Sequence, residues 1–531
     1  MERPLPETTW NRTDCWEHPN KKIIQEELPI KKENFTKLEL EKVKERLKCN
    51  KGFGLDKIPP EVWKSGAFDD LLLEWCNDVY NGACIAKWTE GSISPFPKKG
   101  DLGVTLNYRG ITLTSIASKI YNSLLLNRIQ PHIESVLRRN QNGFRKERST
   151  VGQILTVRTI IEGVKAKNLP AVLLFVDFSK AFDSIHRGKM RGILLAYGIP
   201  LKIVDGIMAL YKNSRAIVRS PDGDTEFFTI LAGVLQGDTL APFLFIICLD
   251  YILRTSLDKI KENGLVLNKS TSPRQAINLT DADYADDLAL FANSISEARV
   301  LLHSLENAAK DIGLHVNATK TEFMSFNEQG SLNTIQGDPL KQVNSFTYLG
   351  SNIASSEADV KSRIGKAWGA LDKLSPIWKS SLPKKMKRRF FQAAVESVLL
   401  YGASAWTLTK NLETKLSGTY TRMLRAALDV SWKDHPTNKY LYGPLPPLIQ
   451  TISERRLRFA GHCWRAKQEI ISDVLFWQPR HGKRKRGRPE KTYIDQMCAD
   501  AELTVEELKM AMMDRSWWST RVRQLRLTST R

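Results

Sequence analysis

The chain is 531 residues long and carries 79 Lys and Arg against 58 Asp and Glu, a formal net charge of +21. With 42% hydrophobic and 9% aromatic residues it holds enough apolar material for roughly three or four packed domains, which excludes a mainly disordered chain. A positive excess of this size points to a polyanionic partner, nucleic acid ahead of a membrane surface.

The opening segment, 1–50, alternates acidic and basic residues and is expected to be an extension followed by a surface helix near Lys37–Leu47, with no chemistry of its own. Met1–Trp10 holds glutamate and two prolines where an export signal would be apolar, so none is expected there. From Gly52 to Ile111 the text is mixed, with turn punctuation at Ile58-Pro59-Pro60, Lys98-Lys99-Gly100-Asp101 and Tyr108-Arg109-Gly110. Helical periodicity follows at Ser115–Leu126 and again after Thr150. Residues 171–177, AVLLFVD, are a continuous apolar run ending in a carboxylate, the pattern of a strand buried on both faces. Ala241–Leu253 is an apolar helix candidate, and the run from Leu240 is interrupted by Asp250, short of the ~20 residues that span a bilayer. Leu279–Phe291 predicts two short strands with an acidic pair at the turn.

A capping box, Ser294 with Glu297, then opens a helix whose apolar face is Leu301, Leu302, Leu305, Ala308 and Ile312, and Gly313 marks its end. Short strands are expected around Glu322–Phe326 and Ser345–Leu349. The order strand, helix, hairpin, helix, strand is that of a ferredoxin-like α+β layer. From Val360 to Tyr440 the pattern is helical and basic, with Lys384, Lys385, Lys387, Arg388 and Arg389 ahead of a Phe391/Ala394/Val395/Val398 stripe, and the tail carries HGKRKRGRPEK at 481–491. The seven cysteines are scattered without a C-x-x-C pair, which favours reduced thiols inside a cell, in nucleus or cytoplasm, over a zinc ribbon.

Two carboxylate positions stand out: Asp177 at a strand end, and Asp286-Asp287 at a turn. A carboxylate cluster is costly without a cation, and Mg²⁺, an oxygen-seeking ion that leaves positions open for substrate phosphates, suits it best. An isolated Asp-Asp pair would ordinarily be a plain turn. Here it lies in Tyr284-Ala285-Asp286-Asp287, preceded by FVDFSKAFDS at 175–184 and GVLQGDTLAPFLF at 233–245. This series resembles the motifs of reverse transcriptases.

The resemblance extends in order along the chain and is closest to non-LTR, LINE-type retrotransposon polymerases. NYRGITL (107–113) and QNGFRKERST (141–150) are similar to the fingers motifs, and FVDFSKAFD, LQGD, YADD and GLHVNATKTE (313–322) to motifs A to D. FTYLG (346–350) is similar to the primer grip, and YGASAW (401–406) and RRLRFAGHCWR (455–465) to the thumb and C-terminal segment.

The fold implied is a right-hand polymerase: an N-terminal extension (1–50), fingers (51–165), a ferredoxin-like palm (166–356), a helical thumb (357–440) and a basic C-terminal segment (441–531), with the reverse transcriptase domain at about 80–355. The resemblance implies two Mg²⁺ ions bridged by Asp177 and Asp286, with Asp287 beside them and the Phe178 carbonyl completing a site. It further implies that Lys99 or Lys98, with Arg109, contacts the triphosphate, that Phe182 excludes a ribose 2′-hydroxyl, and that Gln236 and Gly237 approach the template and incoming base. Lys320 matches a lysine that protonates pyrophosphate. Asp183 is expected to cap or pair near Lys180, and Asp238 to cap the helix running from Thr239. Arg486-Gly487-Arg488-Pro489 is similar to an AT-hook core, and a nuclear localisation signal or an RNA tether explains the same run.

The partners implied are an RNA template, a DNA primer or target DNA, and dNTPs, with no membrane. Fewer than about a hundred residues precede the fingers motifs, too few for an ordinary domain, so a separate endonuclease is expected. The alternative is a catalytically silent, element-derived nucleic-acid-binding protein.

Overall fold

Six apolar residues in a row, Ala171–Val176, form a strand in which every side chain is buried, and the sheet around it organises the centre of the chain. The computed structural model describes residues 22–98, 100–235, 237–268, 277–479, 482 and 490–528. In chain order the strands are β1 (Glu90–Pro97), β2 (Tyr108–Leu113), β3 (Ala171–Val176), β4 (Arg215–Ser220), β5 (Gly223–Asp224), β6 (Phe228–Thr229), β7 (Leu265–Asn268), β8 (Ile277–Leu279), β9 (Asp281–Tyr284), β10 (Asp287–Ala292), β11 (Glu322–Phe326), β12 (Lys341–Gln342), β13 (Thr347–Tyr348) and β14 (Ser351–Asn352). Helices fill the remainder, giving an α+β chain with both mixed and antiparallel pairing. No described helix is long and apolar enough to cross a membrane, and the six described cysteines are free thiols.

The chain divides into two compact units, one made of Met1–Arg145, Asp177–Ile260 and Leu302–Asn317, the other of Lys146–Val176, Lys261–Leu301 and Ala318–Arg531.

The first unit contains the sheet β2-β1-β4-β5, with β6 also on β4. β1 runs antiparallel to β2 and parallel to β4. The turn-rich text of 52–111 therefore contains a two-stranded arm that its prolines and glycines hid: Pro95 and Pro97 in β1 face Gly110 and Tyr108 in β2. Its helices include Ile116–Glu134, far longer than the stretch expected there, and Ala241–Thr255, buried on nearly all sides.

The N-terminal segment is more than a surface extension. Helix Lys37–Glu45 opens on a Thr36/Glu39 capping box, and Ile30, Phe35 and Leu40 are buried. Arg128 anchors it, donating to both Glu39 carboxylate oxygens at 2.8 and 2.9 Å and to the Glu33 and Asn34 carbonyls at 2.7 and 3.2 Å. Its guanidinium lies 4.3 Å from the Phe35 ring centroid.

The second unit carries the sheet β12-β11-β3-β10-β9. Leaving out the short β12, the order β11-β3-β10-β9 is fourth, first, third, second along the chain, and each pairing is antiparallel. This is the strand order of a split βαβ layer, as the element order predicts. Val157, Ile160, Ile161 and Val164 of helix Thr150–Lys167 pack with Leu173 and Phe175 in one core. A second core, with Val360, Leu371, Phe391, Trp406, Leu416 and Leu424, joins the helices from Ser356 to Leu428. A third gathers Leu457, Tyr493, Met497, Leu508 and Trp518 near the C-terminus.

Two local expectations change in detail. Ser294 accepts from the Glu297 N–H at 3.2 Å, but Glu297 reaches back to the N–H and side-chain amide of Asn293, both at 2.9 Å, so the box closes one residue further out. In helix Lys384–Phe391, Lys387 is buried and donates to the Trp378 carbonyl at 2.5 Å, while Arg388 donates to the Leu441 and Tyr440 carbonyls at 2.9 and 2.5 Å. These two cations serve packing, leaving Lys384, Lys385 and Arg389 exposed.

Burial acts to raise the Glu39 carboxyl, but the Arg128 guanidinium and the Thr36 N–H outweigh it and bring it from an ordinary 4.5 to about 2. Because the folded value is depressed, this contact contributes stability above the unfolded value and loses it as pH falls from about 4.5 through about 2. Limited proteolysis of the 30–45 segment is expected to accelerate over that acid range in the wild type, whereas Glu39→Gln should be cleaved readily at neutral pH with little further change on acidification.

Candidate functional site

The acidic turn is built by a hairpin whose register allows one geometry. Tyr284 pairs with Asp287, leaving Ala285 and Asp286 as a two-residue loop. Ala285 is left-handed, φ 56°, and buried. Positive φ at the first central position is the II′ pattern, which suits the twist of the flanking strands and ordinarily selects glycine. An alanine there stores backbone strain of about 1 kcal/mol, held by the apolar strand Asp287–Ala292, whose residues after Asp287 are all buried. Asp286 is half-buried and Asp287 exposed.

Register then decides what shares this end of the sheet. Val176, the last residue of β3, pairs with Leu288, and Glu322, the first of β11, pairs with Phe175. Asp287 immediately precedes Leu288 and Asp177 immediately follows Val176, so the chain reaches both positions from one paired rung. Lys320 is exposed in the turn before β11, at the same sheet end.

Behind the hairpin, Asp281 and Asp283 are fully buried. Gln153 donates to the Asp283 carbonyl at 2.9 Å, and the buried Tyr348 hydroxyl donates to the Ala282 carbonyl at 3.0 Å. Neither Gln153 nor Tyr348 was marked out by sequence pattern as a support of this turn; Tyr348 lies within FTYLG, and that motif was the available signal.

In the first unit the Asp177 carbonyl accepts from the Asn317 N–H at 2.8 Å and the Ser179 N–H donates to the His315 carbonyl at 2.8 Å. These bonds flank the Phe178–Val316 bridge, and in such a pair the central residue's own carbonyl points away from the partner strand. The Phe178 carbonyl is thus turned off this ladder.

Phe182 lies on the short helix Ala181–Ser184, stacked on Phe245 at 4.4 Å and 12° and edge-on to Phe144 at 6.1 Å. Burial raises the Asp183 carboxyl, against the charges of Lys180 and Lys98. Gly237 has φ +113°, and a Cβ there would lie 2.3 Å from the Thr112 carbonyl oxygen, so only glycine fits against β2. Asp238 does not cap the following helix, which begins at Ala241 without a side-chain cap. Burial pushes its carboxyl up to about 6, opposed by the Thr239 and Leu240 N–H groups and by the Asn122 amide, which donates at 2.7 Å.

At the mouth of the β1–β2 arm the Lys98 N–H donates to the Asn107 carbonyl at 2.6 Å, and Arg109 stands opposite Phe96 with its side chain exposed. Lys99, Gln236 and most of the 481–491 run lie outside the described residues.

Among the described residues no three His, Cys, Asp or Glu side chains converge into a ready-made metal cage. The donor set still fits Mg²⁺, which is held by one or two carboxylates with waters and substrate phosphates and does not require such a cage. Two successive carboxylates on a tight turn, one exposed and one half-buried, are donors of that kind.

Residues 96–353 match the profile of the family described as reverse transcriptase (RNA-dependent DNA polymerase). The Pol polyprotein of the type-2 retrotransposable element R2DM of Drosophila melanogaster is 26% identical over 341 residues, 62% of this chain and 30% of that protein. A probable RNA-directed DNA polymerase from transposon BS of the same fly is 24% identical over 72% of this chain and 43% of that protein. The chain thus spans less than half the length of these relatives. A solved apo telomerase from Candida tropicalis, truncated from the C-terminal domain, aligns at 14% identity and a TM-score of 0.36 over 56% of this chain and 59% of that one. With its motifs, its acidic hairpin and the match to the family profile, the segment 96–353 belongs to the reverse transcriptase family of RNA-directed DNA polymerases, related to the Pol proteins of non-LTR retrotransposons.

Proposed function

We propose that the chain copies RNA into DNA, extending a primer 3′ end with dNTPs on an RNA template. The observation that carries this reading is the Val176–Leu288 rung, from which the chain leads directly to Asp177 on one strand and to Asp287 and Asp286 on the other. In this reading the β1–β2 arm belongs to fingers (51–165), the β3/β9/β10/β11 sheet is the palm (166–356), the helices from Ser356 to Leu428 form most of the thumb (357–440), and 441–531 is a basic C-terminal segment.

Asp177, Asp286, Asp287 and the Phe178 carbonyl would hold two Mg²⁺ ions, whose bound charge makes a primer hydroxyl easier to deprotonate and offsets charge on the triphosphate. The remaining work is alignment and proton movement by the chain itself. Arg109 and Lys98 or Lys99 grip triphosphate oxygens, Arg as a fork and Lys as a point charge. Lys320, exposed at the same sheet end, gives a proton to the leaving pyrophosphate. Gly237, with Gln236, lets backbone come close to the base pair being formed. Phe182, fixed by its stack on Phe245, has a defined edge against which a 2′-hydroxyl would clash.

Primer extension on poly(rA)/oligo(dT) with Mg²⁺ tests the reading. Asp286→Ala should lower incorporation by about 10³-fold or more while leaving duplex binding nearly intact. Binding without incorporation by the wild type would favour a catalytically silent binding protein. Phe182→Ala should raise the use of ribonucleotides relative to deoxyribonucleotides by roughly 10–100-fold, measured as the ratio of kcat/KM values; an unchanged ratio removes Phe182 from that role.

A further inference from the structure

Around the β13–β14 hairpin of the second unit, four polar backbone groups from 349 to 352 are held by side chains from elsewhere. Tyr401 donates to the Leu349 carbonyl at 2.8 Å, and Arg363 donates to the Gly350 carbonyl. The Asp359 carboxylate accepts from the Ser351 hydroxyl at 2.5 Å and the Asn352 N–H at 3.0 Å, and Arg158 donates to the Asn352 carbonyl at 2.6 Å. Asp359 is itself 1% exposed and is completed by Arg158 at 3.0 Å and the Trp406 indole N–H at 2.8 Å.

This investment exceeds what a four-residue ladder needs for stability. Leaving one charge of a buried pair uncompensated is strongly destabilising, whereas an apolar cluster would hold the helices as well. What the network adds is position, and position propagates. Ser351 is the register partner of Tyr348, and the Tyr348 hydroxyl donates to the Ala282 carbonyl at 3.0 Å and lies 3.5 Å from the Asp287 carbonyl. Phe346, just ahead of β13, stacks on Phe175 of β3 at 4.1 Å and 8°. One route therefore runs from helix Ser356–Lys373 through the hairpin to the strained Ala285-Asp286 turn.

We propose that Asp359 and Tyr348 are positioning residues that hold the Asp286-Asp287 turn in its cation-binding geometry, Asp359 by fixing β14 and Tyr348 by passing that constraint to the acidic hairpin. The inference deepens the polymerase reading and rests on it for the role of the turn, but the mechanical link stands apart from activity.

The test uses the full chain with Tyr348→Phe, Asp359→Asn and the double variant. Tyr348→Phe removes one oxygen and preserves the ring, so it folds even if Asp359→Asn, which strands Arg158, does not. Backbone amides of 284–288 should exchange about tenfold faster in Tyr348→Phe, with the melting temperature nearly unchanged. The Mg²⁺ concentration for half-maximal primer extension should rise by about three- to tenfold in each single variant. Because both residues act along one route, the double variant should shift little more than the larger single one. Unchanged exchange at 284–288 in folded Tyr348→Phe, or fully multiplicative Mg²⁺ shifts in the double variant, overturns the proposal. Faster exchange in a protein that incorporates no nucleotide even as wild type upholds the link and overturns the polymerase reading instead.

Discussion

A strand buried on both faces cannot slide: a one-residue shift would exchange its two sets of side chains, and the residues on either side would have to repack. Ala171–Val176 is such a strand, paired antiparallel on each edge. Its register fixes which residues stand at the sheet end. There the hydrophobic text stops and charged text begins on three strands, at Asp177, at Asp287 and just ahead of Glu322. The chemistry proposed for this protein depends on that boundary, because the paired rung Val176–Leu288 leads the chain directly into Asp177 on one strand and Asp287 on the other.

The boundary carries a cost. An alanine in a left-handed loop, two carboxylates in succession on it and two more buried behind it at Asp281 and Asp283 form a local arrangement that would relax if left alone. Hydrogen bonds from Gln153 and Tyr348 to backbone carbonyls of β9 hold the hairpin through its main chain.

What was legible in the sequence follows from which forces are local. The AVLLFV run, the acidic turn and the helix with Leu301, Leu302 and Leu305 on one face are written in neighbouring residues, and the strands Ala171–Val176 and Glu322–Phe326 and the helix Ile295–Asp311 form close to where expected. Short motifs carried the site candidates for the same reason. The β1–β2 arm was obscured because its strands contain prolines and glycines, and its stability comes from pairing β1 with β4, more than a hundred residues away. Asp238 gave a capping pattern, but burial and Asn122 set its surroundings. Asp359 looks like any acid in the first turn of a helix; its partners Arg158 and Trp406 are remote in sequence, and no spacing rule connects them.

The Lys384–Phe391 helix has a consequence for how this protein meets a polyanion. Lys387 and Arg388 have donors committed to carbonyls of the same unit, so they keep their charge but are less available to bond a phosphate directly. Direct phosphate contacts are therefore fewer than a count of basic letters suggests. The ionic-strength dependence contributed by this helix is set by the exposed Lys384, Lys385 and Arg389, while Lys387 and Arg388 serve as struts inside the unit.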